Sequence, residues 1–209
     1  MKKKKKSLTK EKIKRVSVQL FNENDTLSIT TNHIASQAGI SSGNLYYHYK
    51  NKEEILQELY SEMSQKFESF ESFRVILSSQ NPIASLWKMF DIYGELFWEY
   101  RFLMRDSAVL MALYPKLKEM FVQRQEKRIV QIEGLIQYFI QEDIFESMPY
   151  DEIKLRAKIN WFISAYWQIF ASSGAKVTKA SINEAKEVLF MVNILPFLTD
   201  KGKEMADSI

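Results

Sequence analysis

Cysteine is absent from this 209-residue chain, and histidine occurs only twice, as His33 and His48. The first absence excludes disulfides, thiolate metal sites and cysteine nucleophiles, and the second excludes a histidine-rich metal cluster. Six glycines and four prolines leave few turns, which favours long helices over many short strands. No apolar stretch reaches the roughly 20 residues needed to span a bilayer. The Lys-rich start has no apolar segment behind it, so it does not read as a secretory signal. Neither a phosphate-binding glycine loop nor a Ser/His/Asp series is present, so an enzyme is not expected, and neither is a metal or a cofactor. The expected compartment is the cytoplasm, with no membrane partner.

What is present is a 46% apolar composition, enough for a sizeable core, and an uneven charge. Residues 1–52 carry eleven Lys or Arg against three Asp or Glu, a net of +8; residues 53–209 carry 18 against 23, a net of −5. A cationic front on a mildly anionic remainder is the asymmetry of a polyanion-binding headpiece on a non-binding body. Met1 to Ser7, with five consecutive lysines, has little to bury and reads as a mobile arm. It is a solvated tail, a phosphate- or minor-groove-tracking arm, or a membrane-surface contact, the last weakened by the lack of an apolar anchor.

The stretch from Ile29 to Leu56 organises the chain. Thr30 precedes a short run whose apolar residues, Ile34, Ala35 and Ala38, share one helical face, an N-cap followed by about two turns of helix. Gly39 stops it, because glycine enters the left-handed C′ conformation without steric cost. Ile40 plugs the corner, Ser41 caps a second helix from Ser42 to about Tyr49, and Asn51 with Glu54 opens a third at Lys52. A preceding helix, capped at Thr9 and ending at Asn24 and Asp25, packs behind with Ile13, Val16, Leu20 and Phe21. Two short helices joined by a glycine-containing turn read as a helix-turn-helix.

Within the second helix, Leu45 and Tyr49 point inward, and helical geometry turns Gly43, Asn44, Tyr46 and Tyr47 outward with Ser42 and His48 at the flanks. Asn can pair bidentately with adenine and Ser with either base edge, while tyrosine and histidine donate to phosphates. Lys52 sits at a helix N-terminus, where the macrodipole disfavours a cation; a docked DNA phosphate rationalises it, and a harmless exposed lysine is the alternative. The candidate DNA-binding set is Thr30, Thr31, Ser41, Ser42, Gly43, Asn44, Tyr46, Tyr47, His48 and Lys52. His33 reads as a polar surface residue.

From Ile13 to Leu56, the pairs Leu20-Phe21, Ile29-Thr30 and Ile34-Ala35, the run Ala38-Gly39-Ile40-Ser41, and Gly43, Leu45-Tyr46, His48-Tyr49 and Lys52-Glu53 resemble the tetracycline-repressor (TetR-like) family in register. Ser17, Asp25 and Tyr49 depart from its usual Ala, Gly and Phe, away from the base-reading face. The resemblance implies an all-α homodimer: a three-helix DNA-binding domain at 1–52, then a ligand-responsive regulatory and dimerisation domain at 53–209 that represses nearby genes from a palindromic operator on double-stranded DNA.

The remainder reads as helices over 53–79 (with Phe67 or Phe70 on the apolar side), 82–105, a short segment capped by Asp106 or Ser107, 116–141, 149–173 and 181–198, then a polar tail from Lys201. An aromatic-rich segment with a few polar residues on a core-facing stripe describes a small-molecule site. Its candidates are Trp87, Phe90, Tyr93, Phe97, Arg101, Arg105, Phe121, Gln125, Arg128 and Tyr166, for an effector that is largely apolar or aromatic. Paired or solvated charges are the simpler reading of the arginines. Residues 159–171, INWFISAYWQIFA, and 188–198, VLFMVNILPFL, are apolar nearly all round. Such helices are enclosed in the core or shared with a second copy; family resemblance favours the dimer, with Trp161, Phe162, Ala165, Ile169, Val188, Met191, Val192 and Leu195 at its interface. Activators, constitutive DNA binders, an enzyme with a DNA-binding head and an interaction module remain as alternatives.

Overall fold

The computed structural model describes residues 2–69, 72–174 and 176–207, with the side chains of residues 2–6, 69 and 72 outside that description. Among these residues the regular elements are all helical: α1 (Lys2–Glu23), α2 (Thr31–Gln37), α3 (Ser42–His48), α4 (Lys52–Ser69), α5 (Ser72–Leu77), α6 (Pro82–Glu99), α7 (Arg101–Arg105), α8 (Ser107–Leu113), α9 (Pro115–Gln141), α10 (Tyr150–Ser172), α11 (Lys179–Asn193) and α12 (Asp200–Ala206), with a 3-10 turn at Leu195–Phe197. An isolated antiparallel bridge joins Phe145 to Leu198.

Two apolar clusters hold the chain together. In the first, Ile13, Val16 and Phe21 of α1 meet Ile34 and Ala35 of α2, Leu45 of α3, and Ile55, Leu56 and Leu59 of α4; it then runs on to Phe102, Leu103 and Met104 of α7 and Phe121 of α9. Headpiece and body therefore share one core through α4. The second cluster joins α6 (Leu86, Tyr93), α9 (Ile132, Phe139), α10 (Ile153, Ala157) and α11 (Leu189, Phe190). Burying each large side chain contributes about 1.5–3 kcal/mol.

Several boundaries differ from the sequence expectation. The Lys-rich start is helical from Lys2, so Thr9 lies inside α1 and does not cap it. Lysine is a good helix former, and adding a turn to a packed helix costs little. Met1 and the lysine side chains at 2–6 lie outside the described residues, as does Phe70. Asp25 ends α1 by an Asx turn, its Oδ1 accepting from Leu27 N–H at 2.9 Å, without a left-handed backbone. The segment 53–79 is two helices, α4 and α5.

The expected helix over 82–105 is divided at Tyr100 because Asn22 of α1 inserts its amide there. Its Nδ2 donates to Glu99 O (2.8 Å) and its Oδ1 accepts from Phe102 N–H (3.1 Å), replacing intrahelical partners. Helix α11 stops at Asn193, ahead of Pro196. The polar tail folds as α12, where the Thr199 hydroxyl accepts from Gly202 N–H (3.1 Å) and a Cβ at Gly202 would collide with the Ile144 carbonyl. Asn81 Nδ2 fastens this helix through Met205 O (2.9 Å). Ser208 and Ile209 lie outside the described residues.

Candidate functional site

The DNA-reading surface is built by local capping. Thr30 Oγ1 accepts from His33 N–H (3.2 Å) and His33 Nδ1 accepts from Thr30 N–H (3.3 Å), a reciprocal box that gives His33 a structural task. Gly39, at φ +60°, makes the turn, and Ser41 Oγ accepts from Asn44 N–H (3.2 Å) to start α3. Leu45 and Tyr49 are buried, which leaves Ser42, Gly43, Asn44, Tyr46 and Tyr47 outside. Tyr47 is 67% exposed, and nothing lies within 4 Å of a Cβ at Gly43, so a duplex has room to approach. The two helices are lashed by Thr31 Oγ1 with Tyr46 Oη (3.1 Å) and by Ser42 Oγ donating to Asn32 Oδ1 (2.9 Å). Asn32 was missed by the sequence reading, because only the fold brings it beside Ser42. His48 is half-buried, its ring edge-on to Tyr47 at 5.3 Å.

Lys52 requires a correction. Its ammonium donates to the carbonyls of Thr26 (2.6 Å), Leu27 (3.2 Å) and Ile29 (2.8 Å), stapling the α1–α2 loop to the start of α4. All three N–H groups are used internally, so none remains for a phosphate. Burial pushes its pKa below the ordinary lysine value, with the Asp25 charge opposing. Lys10 is likewise paired with Glu58 and Lys14 with Glu11 and Glu62. Lys12, Arg15 and Lys50 are exposed and form no ion pair among the described residues. Among the described side chains of the headpiece, those three, absent from the candidate set, are the cations left to face a polyanion; their availability depends on where the acidic partners of the others fold.

Behind the headpiece, Arg105 and Asp106 form a clamp. Arg105 Nε and Nη2 donate to the two Asp106 oxygens (2.7 and 2.6 Å), and Nη2 also reaches the carbonyls of Phe21 (3.0 Å) and Asn24 (2.8 Å) at the end of α1. Asp106 Oδ2 accepts from the fully buried Thr26 hydroxyl at 2.6 Å. Asp106 therefore makes no side-chain cap for α8, and the hydrogen bond to Asp106 raises the Arg105 pKa further. Arg101 stacks on Trp98, its guanidinium carbon 4.1 Å from the ring centre. Neither arginine reaches the body cavity.

That cavity, about 90 Å³, lies among α4, α6, α9 and α10. Of the sequence candidates, Phe90, Tyr93, Phe97, Phe121 and Arg128 line it, and the others do not. Trp87 packs edge-on against Phe190 (4.5 Å) under the Lys186 ammonium. Gln125 accepts from Trp161 Nε1 (3.1 Å), and Tyr166 is half-buried between Phe121 (6.3 Å) and Phe162 (5.7 Å), outside the cavity lining. Arg124, which with Gln125 and Arg128 interrupts the apolar stripe of α9, also lines the cavity; the polar wall residues that the sequence reading missed are Ser64, Asn160, Ser164 and Asn193, whose spacing within apolar stretches was indistinguishable from core packing.

Along α10 and α11 an apolar face is left uncovered. Phe162 (65%) and Met191 (64%) are widely exposed, with Val192 and Leu195, and Leu155, Ile159 and Phe170 extend the face at helical spacing. Ile169 and Val188 are half-buried at its margin. Trp161 and Ala165, assigned to this face from sequence, turn into the cavity wall: at about 100° per residue they lie about 100° and 60° round the helix from Phe162, both on the same side of it. Among the described residues no helix is long and apolar enough to cross a membrane.

Residues 13–59 match the family described as bacterial regulatory proteins, tetR family, and residues 53–205 match TetR, described as bacterial transcriptional repressor. A transcriptional regulator of this family from Marinobacter aquaeolei superposes with a TM-score of 0.80 at 22% identity, over 95% of this chain and 96% of that one. A regulatory protein TetR from Rhodobacter sphaeroides superposes with a TM-score of 0.70 at 14% identity (91% and 100% covered). A third regulator, from Thermus thermophilus, has a TM-score of 0.68 at 17% identity (90% and 98%). No curated protein matches the chain. With its helix-turn-helix and its helical body both matched, the chain belongs to the TetR family of DNA-binding transcriptional regulators, which are not enzymes.

Proposed function

We propose that the protein is a homodimeric repressor that holds a palindromic operator and is released from it by a small, largely apolar or aromatic effector. Residues 1–52 serve as the DNA headpiece and 53–209 as the regulatory and dimerising body. The observation that carries this reading is α3, buried through Leu45 and Tyr49 with an outward row of hydroxyl and amide groups. Asn44 suits an adenine edge and Ser42 either base edge, and Gly43 permits close approach. Thr30, Thr31, Ser41, Tyr46, Tyr47 and His48, with Lys12, Arg15 and Lys50, border the same groove and hold phosphates.

The uncovered α10–α11 face pairs with its copy in a second chain, giving a four-helix interface. Two-fold symmetry then demands half-sites about 34–36 Å apart, or a multiple of that. The effector enters the cavity. Met104 lines it and is followed directly by Arg105 of the clamp on α1. Filling the cavity displaces α7, and with it the end of α1, so the two headpieces lose the operator spacing. The ligand acts only through its differential affinity for the two states. Such a protein works in the cytoplasm, beside the chromosome.

Fluorescence anisotropy with duplex DNA from upstream of the gene tests the headpiece. With 6–10 phosphate contacts, affinity falls about 10³–10⁵-fold between 50 and 200 mM salt. A flat response would sink the DNA reading.

A further inference from the structure

The two arginines on the cavity wall are one helical turn apart on α9 and differ in one respect. Arg124 is paired with Glu68 (3.1 Å), which also holds Lys127. Arg128 has no carboxylate partner among the described residues. Its Nη1 makes a long contact to Tyr93 Oη (3.4 Å), and its guanidinium is surrounded by the rings of Phe73 (5.3 Å), Tyr93 (5.6 Å) and Phe67 (5.9 Å). Among the described residues, one carboxylate thus serves Arg124 and Lys127, and none neutralises Arg128. A guanidinium cannot lose its proton here, and a charge beside low-dielectric walls interacts more strongly with an arriving counter-ion than one in water. Its planar fork fits a carboxylate bidentately.

We propose that the effector is an organic monoanion, a carboxylic acid with an aromatic or aliphatic body, whose carboxylate docks on Arg128 while the body fills the space between Tyr93, Phe97, Phe121 and Phe139. This rests on the ligand-responsive reading above. A monoanion matches the single unneutralised cation, whereas a phosphate dianion would bring a second negative charge into an apolar wall. The cavity of about 90 Å³ must open to accept the body. Met63, Met89 and Met104 in its wall supply flexible side chains for that adjustment. Asn193 adds a secondary preference. It is 2% exposed, its Nδ2 donates to Arg156 O (3.1 Å), and its Oδ1 meets no donor among the described residues. A hydroxyl on the ligand that reaches this oxygen tightens binding.

The test uses the full-length dimer and matched probes: phenylacetate with phenylacetamide, and octanoate with 1-octanol. Isothermal titration is run on wild type, Arg128→Met and Arg128→Lys, each checked first for apo helicity and melting temperature; operator affinity is read alongside. At least one acid binds wild type at least tenfold tighter than its neutral twin, and Arg128→Met weakens the acid by about 10–100-fold while leaving the twin unchanged. Arg128→Lys keeps part of the preference. If a neutral twin binds as well as its acid, or if Arg128→Met lowers apo stability yet binds acids like wild type, the anion proposal is overturned while the ligand-released reading survives. If no probe binds or alters operator affinity, both fail.

Discussion

Replacing Lys52 with Met separates a staple from a phosphate contact. The ammonium holds three carbonyls at 2.6–3.2 Å, two of these bonds partly buried. A hydrogen bond to a charged group contributes about 1.5–3 kcal/mol, but three sharing one ammonium are not additive and the charge has been desolvated. A net loss of about 2–4 kcal/mol follows from those terms. At roughly 2–4 °C per kcal/mol for a chain of this size, the melting temperature drops by roughly 5–15 °C. Thermal denaturation by circular dichroism reads this directly. Lys50→Ala, at an exposed lysine without an ion pair among the described residues, has the opposite signature: unchanged melting and a salt slope of DNA binding reduced by about 0.9. If Lys52→Met melts within about 2 °C of wild type and lowers the salt slope instead, the staple assignment is wrong and the phosphate contact returns.

The other predictions concern acid sensitivity, the clamp and the dimer. Burial of Glu62 disfavours its charge, but hydrogen bonds from Lys14 and Tyr100 outweigh this and hold its carboxyl below 4.5. Its folded pKa is depressed, so its contribution is present above 4.5 and is lost as pH falls through the folded value. The stability gap between wild type and Glu62→Gln should therefore be present at pH 7 and shrink as the pH falls through the depressed folded pKa; a gap independent of pH would rule this out. Asp106→Ala leaves the buried Thr26 hydroxyl without its acceptor and the partly buried Arg105 without its carboxylate, and should lower stability by about 2–4 kcal/mol in urea denaturation. A change under about 0.5 kcal/mol would place the clamp among dispensable surface contacts. Phe162→Glu puts a charge on the uncovered α10 face and should turn a dimer into a monomer by analytical ultracentrifugation, with operator affinity lost; a dimer that persists would move the interface elsewhere.

The headpiece was legible because its signals are local. A hydroxyl three residues before a partner, a glycine at a left-handed turn, and apolar residues four apart specify α2 and α3 without reference to the rest. Features set by distant partners were not. Asn22 divides α6 from α7 across 77–80 residues of sequence, and Arg105 and Asp106 belong to the headpiece junction only because α1 ends beside them. At Lys52 a helix dipole worth a few tenths of a kcal/mol is visible in the sequence, whereas the three carbonyls folded over it are not. On α10, apolar residues surround the helix, so periodicity could not tell Trp161 and Ala165, on the cavity side, from Phe162, on the open side.

Binding of a random duplex library to the purified protein, followed by sequencing of the retained DNA, tests the central claim most directly. Wild type should enrich an inverted repeat whose half-sites are centred 10–10.5 base pairs apart, or a multiple. Asn44→Ala should relax the preference at one position of each half-site by about 1–3 kcal/mol. Enrichment of no motif, or of one that Asn44→Ala and Ser42→Ala both leave untouched, would contradict the assignment of α3 as the reading helix.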